Sequence, residues 1–285
     1  TQASFSLDVS EAPLDLVWVI DNSGSMRNEI EIVRNNLDNF IGSISDRVNL
    51  KLMLITQAGD DSREVNLSNV AKNEGHRQLD SRINSHSALV AAALASCPEN
   101  TNAQNPETIC NKRVDDFASV RFNEVSGRLT EEFRGDAKRV YVFVTDDEPE
   151  EVTDANFLQM VQPYAGDKEI TTFGFVGLKK NGGCNIARVG DSYARLAQAT
   201  GGAVFDICEP DWTAHFDKLA AKVVVLANAT FELEGAEIAK VVKVQQGSDE
   251  LNPSSYQLDG NKLTVDPEAL SAEGGDVIVE YDYRG

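Results

Sequence analysis

Along the first 228 residues, short apolar runs alternate with segments in which apolar side chains recur every three or four positions. Short runs rich in Val, Ile and Phe are typical of buried strands, and the longer repeat is typical of helices that pack one face on a core. Residues 14–20 form the first run, and a helical repeat follows at residues 30–41. The pattern also predicts strands at residues 48–54, 140–144, 170–176 and 203–207. It predicts helices at residues 88–95, at 125–133 (from Val125, Leu129 and Phe133), at 155–161, at 193–200 and from residue 211.

Strands that alternate with helices predict an α/β fold, here a Rossmann-like, doubly wound and mostly parallel sheet. We assign residues 12–228 to this domain. Two polar segments, residues 57–84 and 98–121, carry neither pattern and are too long for ordinary connections. We therefore expect decorated loops in both places.

A different pattern fills residues 229–285, where short alternating runs are separated by turn residues. Asp259-Gly260 lies between two such runs and is a hairpin signal. This region is predicted to be a small C-terminal all-β module. Residues 1–11 also alternate like a strand, and because the termini of a domain often lie close together, we expect them to pair with that module.

The formal net charge of −20 argues against nucleic acid or an anionic membrane as the main partner, since both would repel the chain. No apolar run reaches the roughly 18 residues of a membrane span, and no signal-peptide pattern opens the sequence. We expect a mature fragment that acts outside the cytoplasm, in an extracellular, cell-surface or periplasmic setting.

The chain has four cysteines and only three histidines, without a CxxC pair, so a zinc cage is poorly supported. An even number of cysteines fits two disulfides formed in an oxidising compartment, and four buried thiols are the alternative. Cys184 and Cys208 follow the carboxyl ends of successive predicted strands, whereas Cys97 ends a helix at the opposite edge, with Cys110 close in sequence. Disulfides need Cα atoms within roughly 7 Å, so topology predicts Cys97–Cys110 and Cys184–Cys208.

Oxygen ligands follow two of the predicted strands. Asp21-x-Ser23-x-Ser25 comes directly after the first strand, and Thr145-Asp146 ends a later one. In an open parallel sheet, ligands bind beyond the carboxyl ends of the strands, where the strand order reverses. Mg²⁺ prefers oxygen ligands and keeps several waters, so a site with few direct carboxylates leaves a position for a carboxylate from another molecule. We predict that Asp21, Ser23, Ser25 and Asp146 hold one divalent cation, Mg²⁺ in preference to Mn²⁺ or Ca²⁺.

These motifs, in this order, resemble the metal-ion-dependent adhesion site of von Willebrand factor A domains. The resemblance covers residues 14–226. It implies the von Willebrand factor A fold, one bound Mg²⁺ or Mn²⁺, and a protein ligand that supplies an acidic residue to the metal. The segment from Cys184 to Trp212 further resembles A-domain proteins of bacterial envelopes.

The family also implies a threonine, at the start of a mid-domain helix, that joins the metal site when ligand is bound. Ser85-His86-Ser87 occupies that position here, and we predict Ser85 as the fifth ligand, with Ser87 as the alternative. His86 is expected to be a loop residue, with an outer-sphere role at the metal site as the alternative. Asp147 and Glu148 are expected to be charges on the rim, or alternatively ligands that favour Ca²⁺ or a neighbouring ion. The rim would consist of four loops, at residues 57–84, 85–87, 147–152 and 177–190.

The leading hypothesis is a non-enzymatic, adhesion-type module that recognises an acidic group on a protein partner through the metal. The alternative is a Mg²⁺-dependent phosphotransfer or hydrolytic enzyme. Phosphatases of the haloacid dehalogenase type use an Asp-x-Asp motif, but Ser23 replaces the second Asp, and the chain has neither a GxSxG elbow nor a P-loop. A third hypothesis is a structural spacer in which the metal only stabilises the fold.

Overall fold

The computed structural model describes residues 2–7, 12–97, 120–122, 128–165, 169–179, 184–234, 237–266, 269–271 and 276–284. The chain divides into two compact units. The larger comprises Asp15–Asn39 and Lys51–His215, and the smaller comprises Thr1–Leu14, Phe40–Leu50 and Phe216–Gly285.

Strands and helices alternate through the α/β part of the chain, and strands alone follow it. The strands are β1 (Gln2–Leu7), β2 (Pro13–Ile20), β3 (Asn49–Thr56), β4 (Arg77–Ile83), β5 (Val120–Phe122), β6 (Lys138–Thr145), β7 (Ile170–Val176), β8 (Ala203–Asp206), β9 (Thr230–Glu232), β10 (Glu237–Gln246), β11 (Asp249–Glu250), β12 (Tyr256–Asp259), β13 (Lys262–Val265) and β14 (Val277–Arg284). The helices are α1 (Arg27–Ser45), α2 (Asn69–Asn73), α3 (Ala88–Ser96), α4 (Asp154–Val161), α5 (Asp191–Ala199) and α6 (Thr213–Ala227).

The main sheet has the strand order β5-β4-β3-β2-β6-β7-β8. Strand β3 pairs parallel with β4, and β6, β7 and β8 pair parallel with one another, while β5 runs antiparallel to β4. The predicted α/β class with a mostly parallel sheet is therefore confirmed. The chain builds outward in one direction from β2 to β4 and in the other from β6 to β8, so the strand order reverses between β2 and β6. Ligands bind at such a reversal in open α/β sheets.

The core of the larger unit is made of buried strands and small helical side chains. All nine residues of α3 are buried, and most of them are alanines, which allow close packing. Tyr141 and Phe143 on β6 pack edge-on against Phe157 of α4, with ring centroids 5.3 and 5.5 Å apart. This packing fixes β6, the strand that ends at Thr145, directly before Asp146.

The loop predicted at residues 57–84 is only partly a loop, because it contains α2 and β4. The polar residues of β4 interrupt the apolar pattern typical of a strand, although their side chains make hydrogen bonds within the fold. Gln78 accepts a hydrogen bond from Leu67 N (3.0 Å) and donates one to Val65 O (2.6 Å). Asp80 accepts one from Ala58 N (2.9 Å). These side chains hold the segment between β3 and α2 in place, so the prediction of a loop throughout was wrong. The helix predicted at residues 125–133 is also wrong in its described part, because residues 128–137 form turns and bends before β6.

The smaller unit contains two antiparallel sheets, of order β1-β14-β10-β11 and β12-β13-β9. Strand β1 pairs with β14 from Gln2 opposite Asp282 to Leu7 opposite Val277. The Asp259-Gly260 hairpin joins β12 to β13, and Gly260 takes φ of 59°, a conformation that favours glycine. A separate apolar cluster holds this unit together: Val225, Ala229, Phe231, Leu233, Ile238, Val244, Leu263, Val265, Leu270, Val277, Val279 and Tyr281.

In the part of the chain that the structure describes, no helix combines the length and apolar character needed to cross a membrane.

Candidate metal centre

Three strand ends meet at the reversal of the main sheet. Asp21, directly after β2, donates its backbone N–H to Val144 O of β6 (3.0 Å). Asn22 donates its backbone N–H to Ile83 O of β4 (3.2 Å), and its side-chain oxygen accepts from Ile83 N (2.7 Å). The loop after β2 is therefore bound to both β4 and β6, which brings the residues that follow all three strands to one edge.

Asp21 is fully buried, and both of its carboxylate oxygens are engaged. Oδ1 accepts from Ser23 N (2.8 Å), and Oδ2 lies 2.9 Å from the hydroxyl of Thr145. Burial raises the pKa of Asp21 to about 7, against the lowering effect of these hydrogen bonds. The carboxylate of Asp146 acts in the same direction as burial, so the two acids lie within electrostatic reach of each other.

Ser23 and Ser25 stand on the short 3-10 turn that leads into α1, with their hydroxyl oxygens 3.1 Å apart. Ser23 makes no capping hydrogen bond with its side chain, although it occupies the N-cap position of that turn. The hydroxyl of Ser25 approaches Asp146 and acts to lower its pKa. The structure thus brings together the four side chains predicted as metal ligands, Asp21, Ser23, Ser25 and Asp146.

Asp146 provides the test of whether this set fits a cation. The residue is 3% exposed, and neither carboxylate oxygen has a hydrogen-bond partner of normal geometry among the described residues. Burial raises its pKa, with Asp147 acting in the same direction and Ser25 against it. Buried polar atoms are normally satisfied, and a buried charge is normally paired or bound to a metal. Two orphaned oxygens beside two serine hydroxyls and a second acid suit a hard divalent cation.

Glu29 is a further acid at this site that the sequence alone did not single out. It lies in the first turn of α1, one turn after Ser25, and its Oε2 is buried without a hydrogen-bond partner in the described structure. Burial raises its pKa, and Asp146 adds to the effect. The available signal was its position in the helix that begins at the motif, but an acid in a first helical turn is common.

The loop of residues 85–87, the third loop of the site, contacts Thr145. The Thr145 hydroxyl lies 2.9 Å from Ser85 O, as well as near Asp21. The hydroxyl of Ser85 donates to Asp147 Oδ2 (3.0 Å), whereas that of Ser87, at the N-terminus of α3, is buried without a partner among the described residues. His86 is a half-buried loop residue whose Nε2 lies 4.0 Å from Glu150 Oε2. These contacts do not decide between Ser85 and Ser87.

Asp147 and Glu148 hold the surrounding loops in place. Arg188 donates from Nε to Asp147 Oδ1 and from Nη2 to Glu150 Oε1 (2.9 Å). Burial acts to raise the pKa of Asp147, but the hydrogen bonds from Arg188, Glu148 N and Ser85 outweigh it and hold the pKa below its usual value. Glu148 accepts from Ser192 N (2.9 Å) in the first turn of α5. Both acids are therefore engaged in protein contacts, next to the four predicted ligands.

A disulfide fixes the loop that covers the backbone of Asp146. Ala187 N and Arg188 N donate to Asp146 O at 2.9 and 3.1 Å. Cys184 in this loop is bonded to Cys208, just after β8, with Cα atoms 5.5 Å apart. Cys110, the partner predicted for Cys97, lies outside the described residues.

Among the described residues, no three Asp, Glu, His or Cys side chains form a metal cage. The predicted donor set differs from such a cage because it combines two carboxylates with serine hydroxyls. It is a low-charge set, which suits a cation that keeps water or accepts a ligand from another molecule.

No protein-family model and no curated protein matches the chain. Among solved structures, the chain is similar to the pilus adhesin SpaC from Lactobacillus rhamnosus GG in its open conformation, with 14% sequence identity and a TM-score of 0.37. The match covers 94% of this chain and 38% of that one, so the chain spans less than half of the adhesin's length. A likeness this distant does not establish a function, because one fold hosts many functions.

Proposed function

We propose that this chain is a von Willebrand factor A-type module that binds a protein partner through one divalent cation, Mg²⁺ in preference to Mn²⁺ or Ca²⁺. Asp21, Ser23, Ser25 and Asp146 would hold the cation, and a serine of the third loop would join them. When bound, the cation supplies a coordination position that a carboxylate from another molecule can fill. The expected partner is therefore a protein that presents Asp or Glu at its contact surface.

The observation that carries this proposal is that both carboxylate oxygens of Asp146 are buried without a hydrogen-bond partner among the described residues. A buried carboxylate without a partner costs on the order of several kcal/mol. Arg188 is engaged by Asp147 and Glu150, and the other acids nearby, Asp21 and Glu29, add to the negative charge instead of relieving it. A cation bound beside Asp146 would remove this penalty, since it compensates all three carboxylates at once.

A binding module accounts for the site better than an enzyme does. A carboxylate that attacks phosphorus needs an accessible oxygen, but Asp21 is fully buried and both of its oxygens are engaged, by Ser23 N and Thr145. The second Asp of the phosphatase motif is replaced by Ser23, whose hydroxyl cannot serve as a general acid near neutral pH.

The disulfide supports the setting proposed for this module. Cys184–Cys208 fits an oxidising compartment, since such bonds rarely persist in the cytosol of mesophiles. We therefore propose an extracellular, cell-surface or periplasmic location, as in a bacterial envelope protein.

Two measurements test the proposal. Calorimetric titration with Mg²⁺ and with Mn²⁺ is expected to show one site in the wild type, weakened by roughly tenfold or more in Asp146→Ala. Asp38→Ala removes an exposed acid from α1 and is the matched control, expected to bind like the wild type. A peptide array of Asp- and Glu-containing sequences is then probed in Mg²⁺ and in EDTA. Metal binding without any metal-dependent peptide capture would leave only the spacer hypothesis, and an absence of metal binding would reject the site itself.

A further inference from the structure

A second candidate site lies at the other end of β6. A cavity of about 280 Å³ opens where β6 begins, whereas the candidate metal centre follows the residue at which β6 ends. The end of α3, the segment before β6 and the turn after α4 form its walls. Its lining residues are Ser96, Thr130, Phe133, Arg134, Gly135, Arg139, Tyr164 and Ala165.

Arg139 is the unusual member of this lining, because it is a buried cation without a carboxylate partner. The residue is 5% exposed, and its Nη1 donates to Tyr164 O (3.0 Å). Its guanidinium carbon lies 3.7 Å from the ring centre of Phe133, a cation–π contact. Among the described residues, no Asp or Glu lies within ion-pair distance of Arg139. A buried guanidinium is always charged and is normally paired.

The neighbouring ion pair does not supply the missing anion. Asp15 is fully buried, and its carboxylate accepts from Arg134 Nε (2.8 Å) and Arg134 N (2.7 Å). Both oxygens of Asp15 are thus engaged by Arg134, and Asp15 acts on Arg139 only by attraction over a distance longer than an ion pair.

The cavity also has the polar and apolar surfaces that a small carboxylate ligand needs. A planar guanidinium matches a carboxylate with two parallel hydrogen bonds. Phe133, Tyr164 and Ala165 offer apolar surface beside it, and Ser96 adds a hydroxyl that accepts from Tyr141 (2.8 Å). Gly135 is exposed and lies at the rim. Ligand pockets commonly combine apolar walls with a few polar groups that fix orientation.

We propose that this cavity is a binding site for a small organic carboxylate, with Arg139 as the group that recognises the anion. The free carboxyl terminus of a peptide and a free organic acid share this chemistry. The site is independent of the candidate metal centre, because it lies at the opposite end of β6 and shares none of its residues.

The test uses benzoate, with benzyl alcohol as the neutral analogue, inorganic phosphate as the other anion, and an amidated and a free-carboxyl dipeptide to distinguish the two sources. All titrations are done in EDTA, so that benzoate cannot be held by a metal ion. We expect benzoate to shift the side-chain Nε–H resonance of Arg139 in nitrogen-15 spectra, and benzyl alcohol to leave it unchanged. Equal responses to benzoate and benzyl alcohol, or a response to phosphate alone, would overturn the proposal. A response to the free-carboxyl dipeptide assigns the site to chain termini, and a response to benzoate alone assigns it to free acids.

Variants give a second readout. Arg139→Met keeps the length of the side chain without the charge and is expected to weaken benzoate binding roughly tenfold or more. Arg139→Lys keeps the charge without the planar fork and should bind with intermediate affinity. Arg195→Met removes an exposed arginine paired with Asp154 and is the matched control, expected to bind like the wild type. Unchanged affinity in a folded Arg139→Met protein would exclude Arg139 as the recognition group. If that variant does not fold, the wild-type Nε–H shift decides the question.

Discussion

The buried carboxylate of Asp146 favours metal binding, but it lowers the stability of the fold when no metal is bound. The side chain is buried and its two oxygens have no partner of normal geometry in the described structure. Asp21, beside it, is buried as well, with its pKa raised to about 7. Such a pair destabilises the metal-free protein and favours a bound cation. A ligand that binds only the folded state then stabilises it by mass action.

The raised pKa values of Asp21 and Asp146 predict that the stability of the metal-free protein depends on pH. A carboxyl group whose folded-state pKa lies above its unfolded value of 3.8 keeps its proton longer in the folded state. Between about pH 4 and pH 7 the folded state therefore binds more protons, so its free energy of unfolding falls as pH rises through that window. Chemical unfolding in EDTA should show this decline in the wild type, and Mg²⁺ should offset it near pH 7.

The variant Asp146→Asn tests the same residue by mutation. It removes the buried charge while keeping the shape of the side chain, so the metal-free protein should gain about 1–2 kcal/mol at pH 7 and lose its stabilisation by Mg²⁺. Asp38→Asn, on an exposed face of α1, should change neither quantity. A metal-free Asp146→Asn protein less stable than the wild type would mean that the carboxylate is satisfied by a contact inside the fold.

Ser85 and Ser87 give a further prediction at the scale of single residues. The family pattern favours Ser85, yet its hydroxyl donates to Asp147, whereas the hydroxyl of Ser87 is buried without a partner in the described structure. We now expect Ser87→Ala to weaken metal-dependent peptide binding more than Ser85→Ala, by roughly fivefold or more. Titrations of the two variants with an acidic peptide in Mg²⁺ compare their affinities. A larger loss of affinity in Ser85→Ala than in Ser87→Ala would indicate that Ser85 is the ligand.

The apolar strands could be predicted from the sequence, whereas the polar strand β4 could not. Strand β7 occupies the predicted residues 170–176 because all of its side chains are buried, which produces an unbroken apolar run. Strand β4 was missed because Gln78 and Asp80 bond to a neighbouring loop, and no pattern reveals partners that distant in the chain. The candidate site also has a part that the sequence predicts and a part that it does not. The motif showed Asp21 and Asp146, but the contact that links them to the third loop, through Thr145, required the structure.

The loop that carries Cys184 leads to a prediction about the rigidity of the site. Because this loop bonds to Asp146 O and is tied to the end of β8, we expect a largely fixed metal site. The Cys184→Ser/Cys208→Ser variant opens a loop with a sequence separation of 24, so it should lose about 3 kcal/mol of unfolding free energy. Its metal-dependent affinity for an acidic peptide should fall or stay the same. A large rise in affinity, in a variant shown to fold, would mean that the bond restrains a switch.

For the whole molecule, the net charge constrains the partner. A chain of charge −20 repels an acidic protein at long range, even if the metal attracts one carboxylate at contact. Salt screens that repulsion. The association rate of a net-negative peptide should therefore rise when NaCl is increased from about 50 to about 300 mM, and that of a peptide with one Glu among lysines should fall. Stopped-flow measurements in Mg²⁺ test this, and equal salt responses for the two peptides would show that net charge plays no part.

The last prediction concerns the N-terminal segment, which was expected from its alternating pattern to belong with the C-terminal β module. Strand β1 contributes an edge of the sheet of order β1-β14-β10-β11, pairing with β14 from Gln2 opposite Asp282 to Leu7 opposite Val277. Without β1, the backbone groups of β14 that face it would be left open to water, and the small sheet would keep only β14, β10 and β11. Because β11 is only two residues long, the remaining sheet would be little more than the β10–β14 pair, and two-stranded ribbons are marginal in water.

Deletion of residues 1–11 should therefore reduce hydrogen-exchange protection across residues 229–285, most strongly in β14, while protection in β6 and β7 stays the same. Phe5→Pro is the companion variant, because proline interrupts strand pairing opposite Val279 without shortening the chain. It should reproduce the loss in β14 with a smaller effect elsewhere in the module. Unchanged protection in residues 229–285 after the deletion would show that the module is complete without β1. Equal losses in β6 and β7 would show instead that the segment supports the α/β unit, and the predicted boundary at residue 12 would have to move.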